Sequence, residues 1–169
     1  VPPLQLADIM EIVVNEGVIY RPHVLQEVRD PRDGSILMKT TPETLIASSI
    51  SKDTFKTVKE YLRGVIVNGT AHYPVNTRVV NVAGKTGTAE VGLADRWHSW
   101  FVGYGPVDAT NPEDIIIVVA MIEATNPWEW WAPYASNIIY QAVFAGQEYD
   151  EAVDALGLRY LVPRQERQE

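Results

Sequence analysis

Residues 83–90 read Ala83-Gly84-Lys85-Thr86-Gly87-Thr88-Ala89-Glu90, and a few positions later comes His98-Ser99-Trp100-Phe101-Val102-Gly103-Tyr104-Gly105-Pro106. Turn-forming residues at Gly92 to Arg96 separate the two, so they make adjacent strands near 79–91 and 97–105. A third strand near 114–123 follows Asp108 to Asp114, a short connection that holds Asn111-Pro112. Connections this short join antiparallel neighbours. The third strand contains the longest apolar run of the chain, Ile115 to Ile122, bounded by Asp114 and Glu123. Eight mostly β-branched residues are too few to span a bilayer and fit a buried strand.

Working outward, the elements before and after this meander have helical and hairpin signatures. Leu4, Ala7, Met10, Val13 and Val14 recur at helical spacing behind Pro2-Pro3, with Asn15-Glu16-Gly17 as the stop. Val18-Ile19-Tyr20 and Val24 to Val28 are extended, and Asp30-Pro31-Arg32-Asp33-Gly34 is a turn from which Ile36-Leu37-Met38 returns as a hairpin arm. Pro42 to Ser51 has no clear period and is assigned to a loop. Phe55, Val58, Tyr61, Leu62, Val65 and Ile66 mark a helix face, capped by Ser51 or Asp53 and ended by Asn68-Gly69. From Pro133 to about Phe144, Ile138, Ile139, Ala142 and Val143 lie on one side of a last helix, which must cover a face of the sheet. The order of elements gives an α+β fold, an antiparallel sheet of three strands covered by helices. The polar tail, residues 164–169, is expected to fray.

Composition excludes several functions. At 169 residues with 46% hydrophobic content, the chain can build one domain with a real core. A formal charge of −8 leaves no basic stripe to neutralise phosphates, so no nucleic-acid partner is expected. No basic-then-apolar leader opens the chain. There is no cysteine, and His23, His72 and His98 lack any ligand spacing, so no metal site is expected.

The chemistry concentrates in residues 84–88. Serine attack on a peptide or lactam carbonyl needs positive potential at the nucleophile, donors at the developing oxyanion and a grip on the substrate's carboxylate. Lys85 supplies the potential. The Thr86 and Thr88 hydroxyls share a strand face by the two-residue period, while Lys85 faces the other way unless the strand twists. Gly87 removes a side chain where a substrate backbone would approach. A phosphate-binding loop would need glycine five residues before Gly84, where Val79 stands. A lone Lys-Thr-Gly at a polar strand end recurs by chance, and the neighbouring Trp-Phe-Val-Gly strand is what makes the reading specific.

Taken together, the motifs resemble the C-terminal part of the transpeptidase domain of class B penicillin-binding proteins of the elongation type. The resemblance runs in order through Pro3 to Ala7, Asn15 to His23, Leu62 to Ala71, Ala83 to Ala89 and His98 to Pro106. It implies that residues 1–169 are the C-terminal part of a single transpeptidase domain whose nucleophile lies upstream, on a parent anchored in the cytoplasmic membrane and working on its outer side. It also implies that Lys85 aids proton transfer, that Thr86 and Thr88 bind the substrate carboxylate, that the Thr88 N–H belongs to the oxyanion hole, and that Gly87 allows close approach. The implied partners are the D-alanyl-D-alanine end of a peptidoglycan stem peptide, β-lactams, the remainder of the domain and cell-elongation proteins. No cofactor is needed for serine acyl transfer.

Ser49-Ile50-Ser51-Lys52 spells Ser-x-x-Lys, but we reject Ser49 as the nucleophile, since it lies 36 positions before Lys85 with no second polar motif between. Without the upstream serine, this polypeptide alone is expected to be inactive. The resemblance also implies further strands beyond the third, so Ile115 to Ile122 becomes an apolar edge that another chain segment should cover. His98 and Trp100 are taken as packing and polar support. Trp128, Trp130 and Trp131 admit two readings, a packed surface loop or a patch for a partner protein or glycan. Two other functions compete with transpeptidation, a class D-like β-lactamase or β-lactam sensor and a non-catalytic interaction domain.

Overall fold

The computed structural model describes residues 1–92, 94–123 and 128–161. Three antiparallel strands form its centre, β5 (Ala83–Glu90), β6 (Trp97–Gly105) and β7 (Ile116–Ile122), in that spatial order. Gly84 stands opposite Gly103, Thr86 opposite Phe101 and Thr88 opposite Ser99, while Phe101 faces Ala120 of β7. The first of these strands begins at Ala83, not near 79 as the sequence pattern proposed.

The sheet buries both faces. On one, Phe101, Val118 and Ala120 pack with Val80, Val82, Ile66, Ala71 and Val75, and with Ala132 and Tyr140 of helix α3 (Trp131–Ala145). On the other, Ala83, Tyr104, Val102, Ile115 and Ile117 meet Met10 and Val14 of helix α1 (Pro3–Val14), and Leu62 of helix α2 (Lys52–Val67). Coverage on both sides explains why β7 is continuously apolar, not alternating.

Helix α1 carries proline in its first turn, where no N–H is required, and stops at Glu16 and Gly17, which have φ of +52° and +112°. Gly17 is needed there, because its conformation is left-handed and a Cβ would stand 3.2 Å from the Phe55 ring. Helix α2 starts at Ser51, whose side chain accepts a hydrogen bond from the Thr54 N–H at 3.2 Å. Between them run two short ribbons. Strand β1 (Val18–Tyr20) pairs with β4 (Thr44–Ala47), and β2 (Glu27–Arg29) pairs with β3 (Ile36–Lys39) across the expected turn.

Two further expectations need correction, and one helix was not expected. Pro42 to Ser51 is not all loop, since Thr44–Ala47 is strand β4. It forms because β1 offers an edge, the Arg21 N–H bonds the Glu43 carbonyl at 2.7 Å, and the Arg21 guanidinium grips the Glu43 carboxylate at 2.7 and 3.0 Å. The last helix does cover the sheet, but on a different face: Ile139 and Val143 are exposed, while Ala132, Pro133, Ser136, Asn137, Tyr140 and Gln141 are buried. Small residues let the helix approach the sheet, Tyr140 fills the space beyond, and the two amides have specific partners. Asn137 Oδ1 accepts the Thr77 N–H at 3.0 Å, and Gln141 Oε1 accepts the Thr77 hydroxyl at 2.7 Å. A further helix, α4 (Tyr149–Ala155), was not anticipated. Glu148 and Glu151 form its capping box, and Arg159 clamps Asp150 and Asp154. The polar tail at 164–169 lies outside the described residues.

One packing detail sets the spacing of β5 and β6. The Phe101 ring lies over the Gly84–Gly103 pair, so that a Cβ at Gly84 would stand 2.6 Å from the ring, 2.7 Å from the Val102 carbonyl and 2.9 Å from the Gly103 Cα. At Gly87 the nearest atom would be Trp100 Cβ at 3.2 Å, with nothing else within 4 Å. Gly84→Ala is therefore expected to destabilise the chain by about 1–3 kcal/mol, and Gly87→Ala to change stability by less than about 1 kcal/mol. Urea unfolding of the two variants checks this, and equal effects would refute the packing account.

Candidate active site

Among the described residues, strand β5 is an edge strand, paired with β6 on one side. Its start is fixed from behind by α2. Arg63 donates to the Val82 carbonyl at 2.6 Å and to Asn81 Oδ1 at 3.1 Å, which aims the strand along the C-terminal half of the helix. Burial pushes the nearby Tyr104 phenol above its usual range, and the Arg63 charge opposes that rise. Past the helix end, the turn at Gly69-Thr70-Ala71 meets the middle of β5, where the Thr70 and Thr86 hydroxyls are 3.1 Å apart.

The four predicted residues occupy consecutive positions along this edge. Thr86 and Thr88 stand opposite Phe101 and Ser99, on the face that packs toward α3, with Thr86 half-buried and Thr88 exposed. Lys85 and Gly87 stand opposite Val102 and Trp100, on the other face. The alternation expected from the sequence is thus present, yet Lys85 does not leave the group. Its long side chain is exposed and bends back so that Nζ donates to the Thr86 carbonyl at 2.8 Å. An ammonium and the Thr86 and Thr88 side chains therefore belong to one short stretch of strand edge. Among the described residues, Lys85 forms no ion pair. Such an arrangement can attract an anion, hold it by hydroxyl donors, and offer backbone groups to an extended partner.

The rejected Ser-x-x-Lys match stays far from this edge. A serine and a lysine that work together at this spacing need one helical turn, which brings positions i and i+3 together. Here Ser49 precedes the Ser51 cap and lies outside the helix, while Lys52 faces Glu16 at 3.8 Å. Helix α2 has 16 residues, about 24 Å at the usual rise, and Ser49 precedes one end while Thr70 follows the other.

On β6, the Ser99 hydroxyl is fully buried, donates to the Glu129 carbonyl at 2.5 Å and accepts the Ala132 N–H at 3.0 Å, which ties the start of α3 to the sheet. Trp128 packs edge-on against Trp131 with centroids 4.2 Å apart and stacks on Tyr134 at 5.4 Å. These half-buried rings form one cluster with the first turn of α3. The larger grooves lie elsewhere. One of about 440 Å³ is lined by Ile122, Tyr134, Ile138, Ile139 and Leu158, and one of about 370 Å³ by α1, Tyr20 and His23. Neither of these grooves is lined by Lys85, Thr86 or Thr88, so the β5 edge is a candidate site by its chemistry and not by groove volume.

Residues 1–144 match the penicillin binding protein transpeptidase domain family, and the chain belongs to that family. Its fold and its Lys-Thr-Gly strand agree with the class B assignment drawn from the motifs. Penicillin-binding protein 2A of Bacillus subtilis (strain 168) is 28% identical over 141 residues, which are 76% of this chain and 19% of that protein. The peptidoglycan D,D-transpeptidase MrdA of Acinetobacter baumannii is 30% identical over 131 residues, 69% of this chain and 19% of that protein. The crystal structure of the D,D-transpeptidase domain of a peptidoglycan glycosyltransferase from Eggerthella lenta superposes with a TM-score of 0.64 at 28% identity, covering 95% of this chain and 33% of that one. The chain thus spans about a fifth of the length of the curated relatives it matches.

Two residues that position the strand, Arg63 and Thr70, were not assigned a site role from sequence. Arg63 sits within the helix motif and could have been suspected as a buried-end clamp, whereas the Thr70–Thr86 contact spans 16 positions and has no local signal. In a full-length transpeptidase that carries this segment, Ser49→Ala should leave the acylation rate by benzylpenicillin within about twofold. Loss of the protein–drug adduct in that variant, by intact mass, would restore Ser49 as the nucleophile.

Proposed function

We propose that this chain supplies the Lys-Thr-Gly strand of a serine-type peptidoglycan D,D-transpeptidase of the cell-elongation type. The observation that carries the reading is the edge of β5, where the Lys85 ammonium bends round to the strand that bears Thr86 and Thr88, beside Gly87, where a Cβ would meet only the Trp100 Cβ, at 3.2 Å. Gly84 and Gly103 are glycines because the Phe101 ring lies over them. Gly87 has no comparable reason within the chain, which fits a position kept free for a substrate.

In this reading the upstream serine attacks the carbonyl of a stem peptide's D-alanyl-D-alanine end, the terminal D-alanine leaves, and the acyl-enzyme passes to the amine of a second stem peptide. Lys85 holds positive potential beside the serine and aids its proton transfer. The Thr86 and Thr88 hydroxyls bind the terminal carboxylate by charge-assisted hydrogen bonds. The Thr88 N–H shares a side of the strand with the Thr86 carbonyl, by the two-residue period, and in this reading serves the oxyanion hole. β-Lactams enter the same site because they present a carboxylate and a reactive carbonyl in one rigid frame. No cofactor or metal takes part in this route.

The rest of the domain, in this proposal, adds strands beyond β7. Ile116 and Ile122 are each 37% exposed on that outer edge, and the apolar groove beside Ile122 continues onto Ile138 and Ile139. No described helix is long and apolar enough to cross a membrane. In this proposal an anchor holds the parent enzyme on the outer side of the cytoplasmic membrane, and cell-elongation proteins are among its partners.

The test is intact mass of the full-length protein after brief exposure to benzylpenicillin. A stable adduct is expected, formed at least about a hundredfold more slowly in Lys85→Ala, and none is expected on residues 1–169 alone. Rapid hydrolysis of the adduct would replace transpeptidation by β-lactamase activity. No adduct on the full-length protein would leave a binding domain and end the catalytic reading.

A further inference from the structure

We propose that Thr70 is a positioning residue for carboxylate recognition, setting the direction of the Thr86 hydroxyl through the hydrogen bond between them. This deepens the proposed role of the β5 edge and rests on it. The contact is 3.1 Å between the two Oγ1 atoms, and either can be the donor. That symmetry matters for an anion site. Each hydroxyl has one proton and two lone pairs. If Thr86 donates to Thr70, its only proton is used and it offers lone pairs to an incoming carboxylate. If Thr70 donates to Thr86, the Thr86 proton is free for the anion, and the two hydroxyls form a chain in which each bond polarises the next. A bound carboxylate therefore selects one direction of the pair, and Thr70 makes that direction available.

Three further observations favour this role over an incidental contact. A threonine in a turn after a helix ordinarily bonds its hydroxyl to nearby backbone. Among the described residues, the Thr70 hydroxyl has Thr86 as its sole partner, across 16 positions of sequence. The backbone on both sides of Thr70 is also fixed. A Cβ at Gly69 would stand 2.7 Å from the Val65 Cα and 2.9 Å from the Val65 carbonyl, so the turn closes directly on the helix. Ala71 has no exposed surface, and its N–H bonds the same Val65 carbonyl at 3.0 Å. An exposed hydroxyl is thus presented from an anchored turn, and its neighbours explain why glycine and alanine flank it.

The experiment measures acylation of the full-length protein by benzylpenicillin and by its methyl ester, which lacks the anionic carboxylate, in wild type, Thr70→Val and Thr70→Ser. Thr70→Val is expected to slow the acid about tenfold, through weaker binding before the covalent step, and the ester less than about twofold. Thr70→Ser keeps the donor and should stay within about twofold of wild type for both. Equal slowing of acid and ester by Thr70→Val would mean a structural role and overturn the inference, as would an unchanged acid rate. A wild type that reacts with neither compound would instead bring down the proposed function itself, a result distinguishable from either.

Discussion

The Phe101 ring over the Gly84–Gly103 pair is the contact on which the rest of the arrangement depends. It brings the two strands together where neither can carry a side chain, and it fills the face that Tyr140 and Ala132 close from the other side. Once that register is set, every position of β5 follows. Thr86 lies opposite Phe101, one step along from the glycine pair on the same face, and Lys85 is turned to the other face. A one-residue slip would exchange the two faces, sending Lys85 toward the core and the threonines away from Thr70. The chemistry at the edge is therefore an outcome of packing several ångströms behind it.

Much of this was legible in the sequence, for reasons that can be named. The three strands and both long helices of the first 122 residues carry either a local period or a strong terminator, such as Asn15-Glu16-Gly17 or the Ser51 cap. The alternation of Thr86 and Thr88 against Lys85 is a property of any strand. What failed to register were features decided by distant partners. Strand β4 is short, and all four of its residues are exposed. It exists because β1 and the Arg21–Glu43 pair hold it, neither of which its own composition reveals. The bending of Lys85 back to the strand edge depends on side-chain length and an available carbonyl, and periodicity does not encode that.

Helix α3 shows how apolar pattern and burial can part. Its isoleucines and Val143 suggested the covering face, yet the sheet is met by alanine, serine, tyrosine and two amides. Hydrogen bonds explain the choice. Asn137 and Gln141 meet Thr77, Asn76 and Gln147, so the segment leading into β5 is fixed by polar groups that would be costly to bury without those partners. A purely apolar face would cover the sheet equally well but would not hold residues 76 and 77 at one place. Through Val80, Val82 and Arg63, the start of the edge strand inherits that fixity.

The two edges of the sheet then differ in kind. The β5 edge carries an exposed lysine and an exposed glutamate, Lys85 and Glu90, with a glycine between, the composition by which natural edges resist pairing with stray strands. The β7 edge carries isoleucines and borders an apolar groove, with no charge among its seven residues. An edge that is polar, open and backed by a fixed hydroxyl suits transient occupation by a short extended ligand, whose backbone and carboxylate can be gripped and released. An edge that is apolar throughout suits permanent pairing, since leaving it in water costs more than closing it. The asymmetry fits the proposed division, recognition at β5 and assembly at β7, with the Phe101–glycine contact setting the spacing of β5 and β6.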